Sequence, residues 1–233
     1  MPEHARLAAS RQRQDLIIPC HNALDSWPAS SQRRGFMSSP LKTSIHAGLR
    51  GARANLLPGL ALQALAVAVV LAYYHVPAVR DALTRLTAFR AEVGVLYAIV
   101  ATAIFGGVLP SLYLRLRRAT RHQYTWTQAA VLTAFWGYKG VEVDLFYQFN
   151  AWLIGEGHDV RTIALKTLVD QGVYCPFFAV PTSWFVYAWV SHRFDAGAMR
   201  ERFRGGSWYA REVLPILVSN AAVWIPAVAI IYL

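Results

Sequence analysis

Long stretches of this chain lack the polar interruptions that a water-facing helix needs. Leu57 to Val76 runs 20 residues without a formal charge, Val93 to Leu114 runs 22, and Val213 to Leu233 runs 21. A helix crosses a bilayer core with about 20 apolar residues, so each run predicts a membrane span. Two further stretches are long and mostly apolar but hold interior charges. Tyr124 to Ile154 contains Lys139, Glu142 and Asp144, and Thr162 to Val190 contains Lys166 and Asp170. The pattern predicts an all-α, multi-pass integral membrane helical bundle. Its helices are expected at about 57–76, 93–114, 124–154, 162–190 and 213–233, within one transmembrane domain over residues 46–233. A soluble bundle with very apolar core helices competes, but three uncharged runs of spanning length leave it no solvent face. Residues 1–45 are rich in Ser, Arg, Gln and Pro, show no sustained apolar period, and read as a flexible basic tail.

Charge placement supplies an orientation. Lys and Arg outside the five segments number 17 on one side and four on the other when alternate connections are grouped. Basic loops stay on the cytoplasmic side, which predicts the N-terminus inside and the C-terminus outside. Composition agrees with a membrane protein: hydrophobic residues make up 55% and charged residues 15% of a chain with net charge +10. Soluble domains average about 45–50% apolar and 25% charged residues. Such apolarity excludes disorder for most of the chain.

Two cysteines, Cys20 and Cys175, exclude a disulfide scaffold and a zinc site built on cysteine pairs. The seven histidines have no metal-ligand spacing, and neither a P-loop nor a dinucleotide fingerprint occurs. No metal, no cofactor and no enzymatic activity are therefore expected. Nucleic-acid binding would fit the charge, but the basic residues lack aromatic interleaving or a recognisable module. The expected partners are the lipid bilayer, with anionic headgroups on the basic tail, a small solute or ion, and a second copy of the chain in a homo-oligomer. The Arg-rich, acid-poor tail also suits a mitochondrial transit peptide.

The interior charges are the candidate chemistry. A charge at mid-depth costs about 2.5–3.5 kcal/mol on insertion scales. Lys139 and Glu142 are three residues apart, and Lys166 and Asp170 four apart, so each pair shares a helix face. Asp144 has no basic partner on its own helix. Helical rise puts Asp170 roughly 12 Å below the start of the fourth segment and Asp144 roughly 15 Å from the end of the third. Two readings follow. One is a polar passage between the third and fourth segments, faced by Glu142, Asp144 and Asp170, with Gln171 as added polar lining, and favouring cations or protons. The other is a set of buried ion pairs that fixes packing. Function divides accordingly between a channel or small-solute-handling protein and a non-transporting structural protein. A third reading, an intramembrane hydrolase using Asp144 and Asp170, has no flanking motif behind it. Pro176, Pro181, Pro215 and Pro226 predict kinks, because proline frees a carbonyl that packing or water must satisfy.

Lys166, Asp170, Gln171 and Pro176 stand in the spacing K-x-x-x-D-Q-x-x-x-x-P. With Gly140, Phe146 and Tyr147 ahead of them and Pro215 and Pro226 behind, this resembles the Mpv-seventeen family of small peroxisomal and mitochondrial membrane proteins. The resemblance covers roughly residues 94–233. Val141 and Asp144 depart from the family's proline and histidine, and Leu214 and Val218 from its tryptophan and glutamine. The resemblance implies a four-helix membrane protein, here with an extra N-terminal helix, and a pore or metabolite-handling role. It implies the mitochondrial inner or peroxisomal membrane for a eukaryotic chain. High Ala and Arg usage suits a bacterial relative, for which the membrane would be the cytoplasmic one.

Overall fold

The structure, a computed structural model, describes residues 40–54, 56–118, 120–122, 124–204 and 206–232. Among them the secondary structure is helical, without strands. The elements are α1 (Pro40–Ala54), α2 (Leu56–His75), α3 (Pro77–Val93), α4 (Val95–Leu116), α5 (Trp126–Ile154), α6 (Val160–Ser191), α7 (Ala196–Phe203) and α8 (Tyr209–Ile231). Three of these, α4, α6 and α8, are long and apolar enough to cross a membrane. The bent pair Gly59–His75 and Pro77–Val93 supplies a fourth candidate. Helix α5 has the length, at 29 residues, but its polar and charged positions leave it less apolar than the others. The five expected segments are all helical, while three, or four with the bent pair, are long and apolar enough to cross a membrane.

Helix ends follow local chemistry. Thr125 opens α5 with a capping box: its hydroxyl accepts from the Gln128 N–H at 3.2 Å, and the Gln128 side chain accepts from the Thr125 N–H at 2.8 Å. Two of the orphan donors of the first turn are thereby satisfied. Asp159 opens α6, its carboxylate accepting from the backbone N–H groups of Arg161 and Thr162 at 3.0 and 3.1 Å and from the Thr162 hydroxyl at 2.6 Å. Gly155, at φ 106°, ends α5, and Gly94, at φ 63°, separates α3 from α4. Both need backbone angles that side chains disfavour.

Three expectations change. The segment 77–92, read as a loop, is helix α3, begun by Pro77 at its first turn. The segment 191–212, also read as a loop, holds α7 and the first turn of α8. The tail expected over 1–45 gives way to helix at Pro40; its remainder, 1–39, lies outside the described residues.

Prolines leave a common mark. The chain widens into π-helix at Ala103–Val108 ahead of Pro110, at Asp170–Ala179 around Pro176 and ahead of Pro181, and at Tyr209–Val213 ahead of Pro215. A proline ring clashes with the carbonyl four residues back, and a wider turn moves that carbonyl aside. No such segment accompanies Pro226, which sits inside the regular part of α8.

The described residues divide into two compact units. The first takes residues up to Ala66, Thr167–Ala188 and Gly197 onward. Here α1 and the start of α2 run along α8 in the same chain direction. The Ser44 hydroxyl donates to the Ala210 carbonyl at 2.5 Å and the Gln63 amide to the Val223 carbonyl at 3.0 Å. A Cβ placed on Gly48 would lie 2.6 Å from Val218 Cβ, so only glycine permits this approach. The second unit takes Val67–Lys166 and Trp189–Ala196. Here α4 and α5 pack antiparallel through glycines on both sides. A Cβ on Gly107 would lie 2.5 Å from Thr133 Cα, one on Gly106 would collide with the Trp136 ring, and one on Gly140 with the Ala98 carbonyl and Thr102 hydroxyl. Small residues at such seams let helices approach closely where lipid removes the hydrophobic drive to associate.

Two outcomes follow. Gly107→Ala and Gly140→Ala each press a methyl into backbone and should destabilise by about 1–3 kcal/mol, whereas Gly172→Ala meets nothing closer than 3.9 Å and should be near neutral; denaturant titration in detergent compares them. The hydrogen bonds to Asp159 hold its carboxyl below the ordinary aspartate range. A depressed folded pKa adds stability above the unfolded value and loses it as pH falls through the folded one. Amide protection in the first turn of α6 should therefore be constant at neutral pH and fall only on strong acidification, as hydrogen exchange would record; Asp159→Asn should flatten that acid limb.

Candidate functional site

The interior charges fall into two groups. In the second unit, Lys139 is buried on α5, and its Nζ lies 2.6 Å from Glu142 Oε1 and 5.7 Å from the centroid of the Phe135 ring. The Tyr138 hydroxyl lies beside the same Glu142 carboxylate. Spacings of three and four residues on one helix bring all three side chains together. The local arrangement is a closed ion pair with an aromatic wall.

Asp144 has a partner that its own helix does not supply. Arg90 Nη2 on α3 lies 3.0 Å from Asp144 Oδ1, and the Gln148 amide donates to Oδ2 at 2.8 Å. The missing base comes from the segment read as a loop.

The expected depth of Asp144 also changes. Gly140 faces Ala98 across the α4–α5 seam, and Gly137 faces Ile99. Antiparallel register then sets Asp144 level with about Gly94, where α4 begins. Counting from the end of α5 had placed it roughly 15 Å below a surface. Measured against α4, it sits at the helix end, and the last turns of α5 extend past it. There the guanidinium of Arg90 remains half exposed, at 57%. Asn150 is fully buried in the same unit and donates from Nδ2 to the Lys166 carbonyl at 3.2 Å, while Lys166 itself is buried on α6.

The second group belongs to the first unit. Asp170 is buried where α6 widens. Its Oδ1 accepts from the Gln171 amide at 2.8 Å and from the Cys175 thiol at 3.5 Å, and the Tyr232 hydroxyl near the end of α8 hydrogen-bonds the same carboxyl. Asn220 of α8 lies 3.9 Å from the Cys175 sulfur. Nearby, the Tyr209 hydroxyl donates to the Pro176 carbonyl at 2.7 Å. Two of the proline-containing helices thus meet around one buried acid.

Sequence spacing missed three of these participants. Cys175 lies five residues after Asp170, off the α-helical face; a π-helix closes its hydrogen bonds at that spacing and brings the pair together. Tyr232 belongs to the last apolar run, and Arg90 to a stretch taken as loop. Lys166 and Asp170 lie one turn apart on α6, both buried, and belong to different units. Glu142 and Asp144 lie in the second unit and Asp170 in the first. Of the expected kink prolines, Pro176 and Pro181 flank or occupy the widened segment, Pro215 follows one, and Pro226 stands apart. Among the described residues no cluster of three or more His, Cys, Asp or Glu side chains could hold a metal ion.

Comparisons with family models, curated proteins and solved structures find no match.

The two α5 contacts should differ in energy. Removing one member of a buried pair strands a charge, at about 3–5 kcal/mol, while an exposed pair is worth about 0.2–1 kcal/mol. Lys139→Ala should therefore destabilise more than the double change to Ala at Lys139 and Glu142. A cycle on Arg90 and Asp144 should give a coupling of less than about 1 kcal/mol. Unfolding in mixed micelles measures both.

Proposed function

We propose that this chain is a multi-pass integral membrane protein that handles a small solute or ion at the Asp170 cluster. The membrane reading is carried by one observation: three helices long and apolar enough to span, whose large apolar side chains stay on the outside. Phe105 on α4 is 72% exposed and Phe177 on α6 is 68% exposed. A helix of a soluble bundle turns its apolar stripe inward, and contiguous apolar exposure of this extent marks a surface made for another phase. Lipid is the phase that fits helices of this length.

Basic residues favour an orientation with the N-terminus inside and the C-terminus outside. The parallel course of α1–α2 and α8 fits termini on opposite sides, since alternation gives the first and fifth spans the same direction, and the basic residues choose which side is inside. Helix α5 is then a span in which Lys139 neutralises Glu142. Asp144 lies at the outer end and does not face a passage.

Asp170 is the acid left for solute handling. It is buried in a π-helical segment, with donors from α6 and α8 converging on it. Polar or ionisable groups inside a span commonly mark ion or proton paths, and irregular backbone at membrane depth is tolerated where protein or a water-filled cavity satisfies it. The resemblance to the Mpv-seventeen family rests on Lys166, Asp170, Gln171 and Pro176 and points to the same segment. A purely structural membrane protein is the second reading, favoured by the paired state of Glu142 and Asp144. The hydrolase reading calls for Asp144 and Asp170 as a carboxylate pair, whereas Asp144 is engaged by Arg90 and Gln148.

Two measurements check this. Cysteine placed at position 158 should react with an impermeant reagent in intact cells or right-side-out vesicles, and cysteine at 120 only after permeabilisation; the opposite pattern reverses the orientation. Purified protein in liposomes should pass cations in preference to anions, read as reversal potential under a salt gradient. Asp170→Asn should reduce the preference, whereas Asp144→Asn should leave it in place. Absence of conductance across voltage and pH in folded protein would select the structural reading.

A further inference from the structure

Helix α3 turns sharply away from α2. The two apolar-to-amphipathic segments Gly59–His75 and Pro77–Val93 meet at 105°. The Arg80 side chain bridges the bend. Arg80 donates from Nε to the Tyr73 carbonyl at 3.2 Å and from Nη2 to the Tyr74 carbonyl at 2.9 Å, and its guanidinium lies 6.0 Å from the Tyr73 ring centroid. Those carbonyls are among the last of α2, which have no partner inside the helix. Arg80 satisfies them and closes the elbow in one step.

None of the 17 residues of α3 is buried. Val79, Ala82, Leu83, Leu86, Phe89 and Val93 recur at spacings of three and four and form one arc. Asp81, Thr84, Ala88 and Glu92 occupy the opposite arc. Leu86 and Phe89 are 45% and 53% exposed. A single charge, Arg90, falls on the apolar arc, and it is the one paired with Asp144. The apolar arc therefore carries no charge beyond the one tied to α5.

We infer that α3 is an interfacial helix that lies on the bilayer surface, its apolar arc sunk into the boundary between headgroups and acyl chains. This rests on the reading of the chain as a membrane protein. Given that α2 enters the bilayer, with 20 uncharged residues, a helix leaving its end at 105° runs close to the membrane plane. The register of α5 agrees: Arg90 meets Asp144 at the level where α4 begins. A lipid surface accepts an apolar arc about one-third of the circumference wide with a polar arc above it. Burial of that arc, more than charge, holds it there, since Arg80 and Arg90 are already engaged by protein groups and the remaining Arg85 is outnumbered by Asp81 and Glu92 on the same helix.

The test is site-directed spin labelling of the full chain in phosphatidylcholine nanodiscs, on a background with Cys20→Ser and Cys175→Ala. Labels at 79, 83, 86 and 93 sample the apolar arc, labels at 81, 84, 88 and 92 the polar arc, and labels at 100 and 104 report α4. The ratio of oxygen to nickel-chelate accessibility should be several-fold higher on the apolar arc, with a helical period, at a depth just below the phosphates. Arg80→Ala should shrink that contrast by releasing the elbow. High nickel accessibility on both arcs would overturn the inference by placing α3 in water. Oxygen-dominated accessibility at every position would overturn it in favour of a broken span. Protection of the apolar arc from both probes that falls as lipid is added in excess would replace lipid with a second copy of the chain. If positions 100 and 104 are themselves open to nickel, the membrane reading fails, and the α3 inference with it.

Discussion

Proline within long apolar helices is the constraint from which much of this architecture follows. Each ring removes a backbone donor and collides with the carbonyl one turn earlier. In apolar surroundings no water repairs the loss. The chain responds at Pro110, Pro176, Pro181 and Pro215 by widening the neighbouring turns. Widening rotates the residues that follow relative to a regular α-helix. At Pro176 it aligns Cys175 with Asp170, and the Pro176 carbonyl accepts the Tyr209 hydroxyl. The polar cluster is thus partly a by-product of accommodating proline.

The interior charges illustrate how a helix end resolves an apparent penalty. Lys139, Glu142 and Asp144 look expensive when the whole of α5 is taken as a span. The glycine seam shifts the frame. Because Gly140 meets Ala98, these three residues lie within a few turns of the start of α4. Two are paired with each other and the third with Arg90, so each charge is neutralised within its own neighbourhood.

Much of the helix content was legible from the chain alone, because uncharged runs of about 20 residues have few other uses. Helix α3 was not legible for a physical reason: Arg80, Arg85 and Arg90 look like loop residues until one sees that they flank or tie down an apolar arc. Helix α1 was hidden in a similar way. Its packing face is made of Ser44, Gly48 and Gly51, and small residues leave a weak hydrophobic signal although they permit the closest backbone approach. In the candidate site, the Lys139–Glu142 pair could be read from its spacing of three. The Asp170–Cys175 contact could not, since it relies on a turn wider than the one that spacing rules assume. Arg90 and Tyr232 reach their acids across tertiary distance, to which local patterns are blind.

The seam between α1 and α8 has a consequence for how the protein is made. Ser44 and Ala210 are 166 positions apart in the chain. Helices α4 and α5, by contrast, follow one another directly and can pair as soon as both have emerged. A ribosome delivering this chain from its N-terminus would release α1 and α2 long before their partner exists. Their glycine-lined face must wait, uncovered, through the synthesis of everything in between. Distant contacts of this kind close slowly and leave surfaces open meanwhile. The first unit is therefore the late-closing one, and any agent that shields a small-residue helix face during synthesis would act on α1 before α8 could cover it.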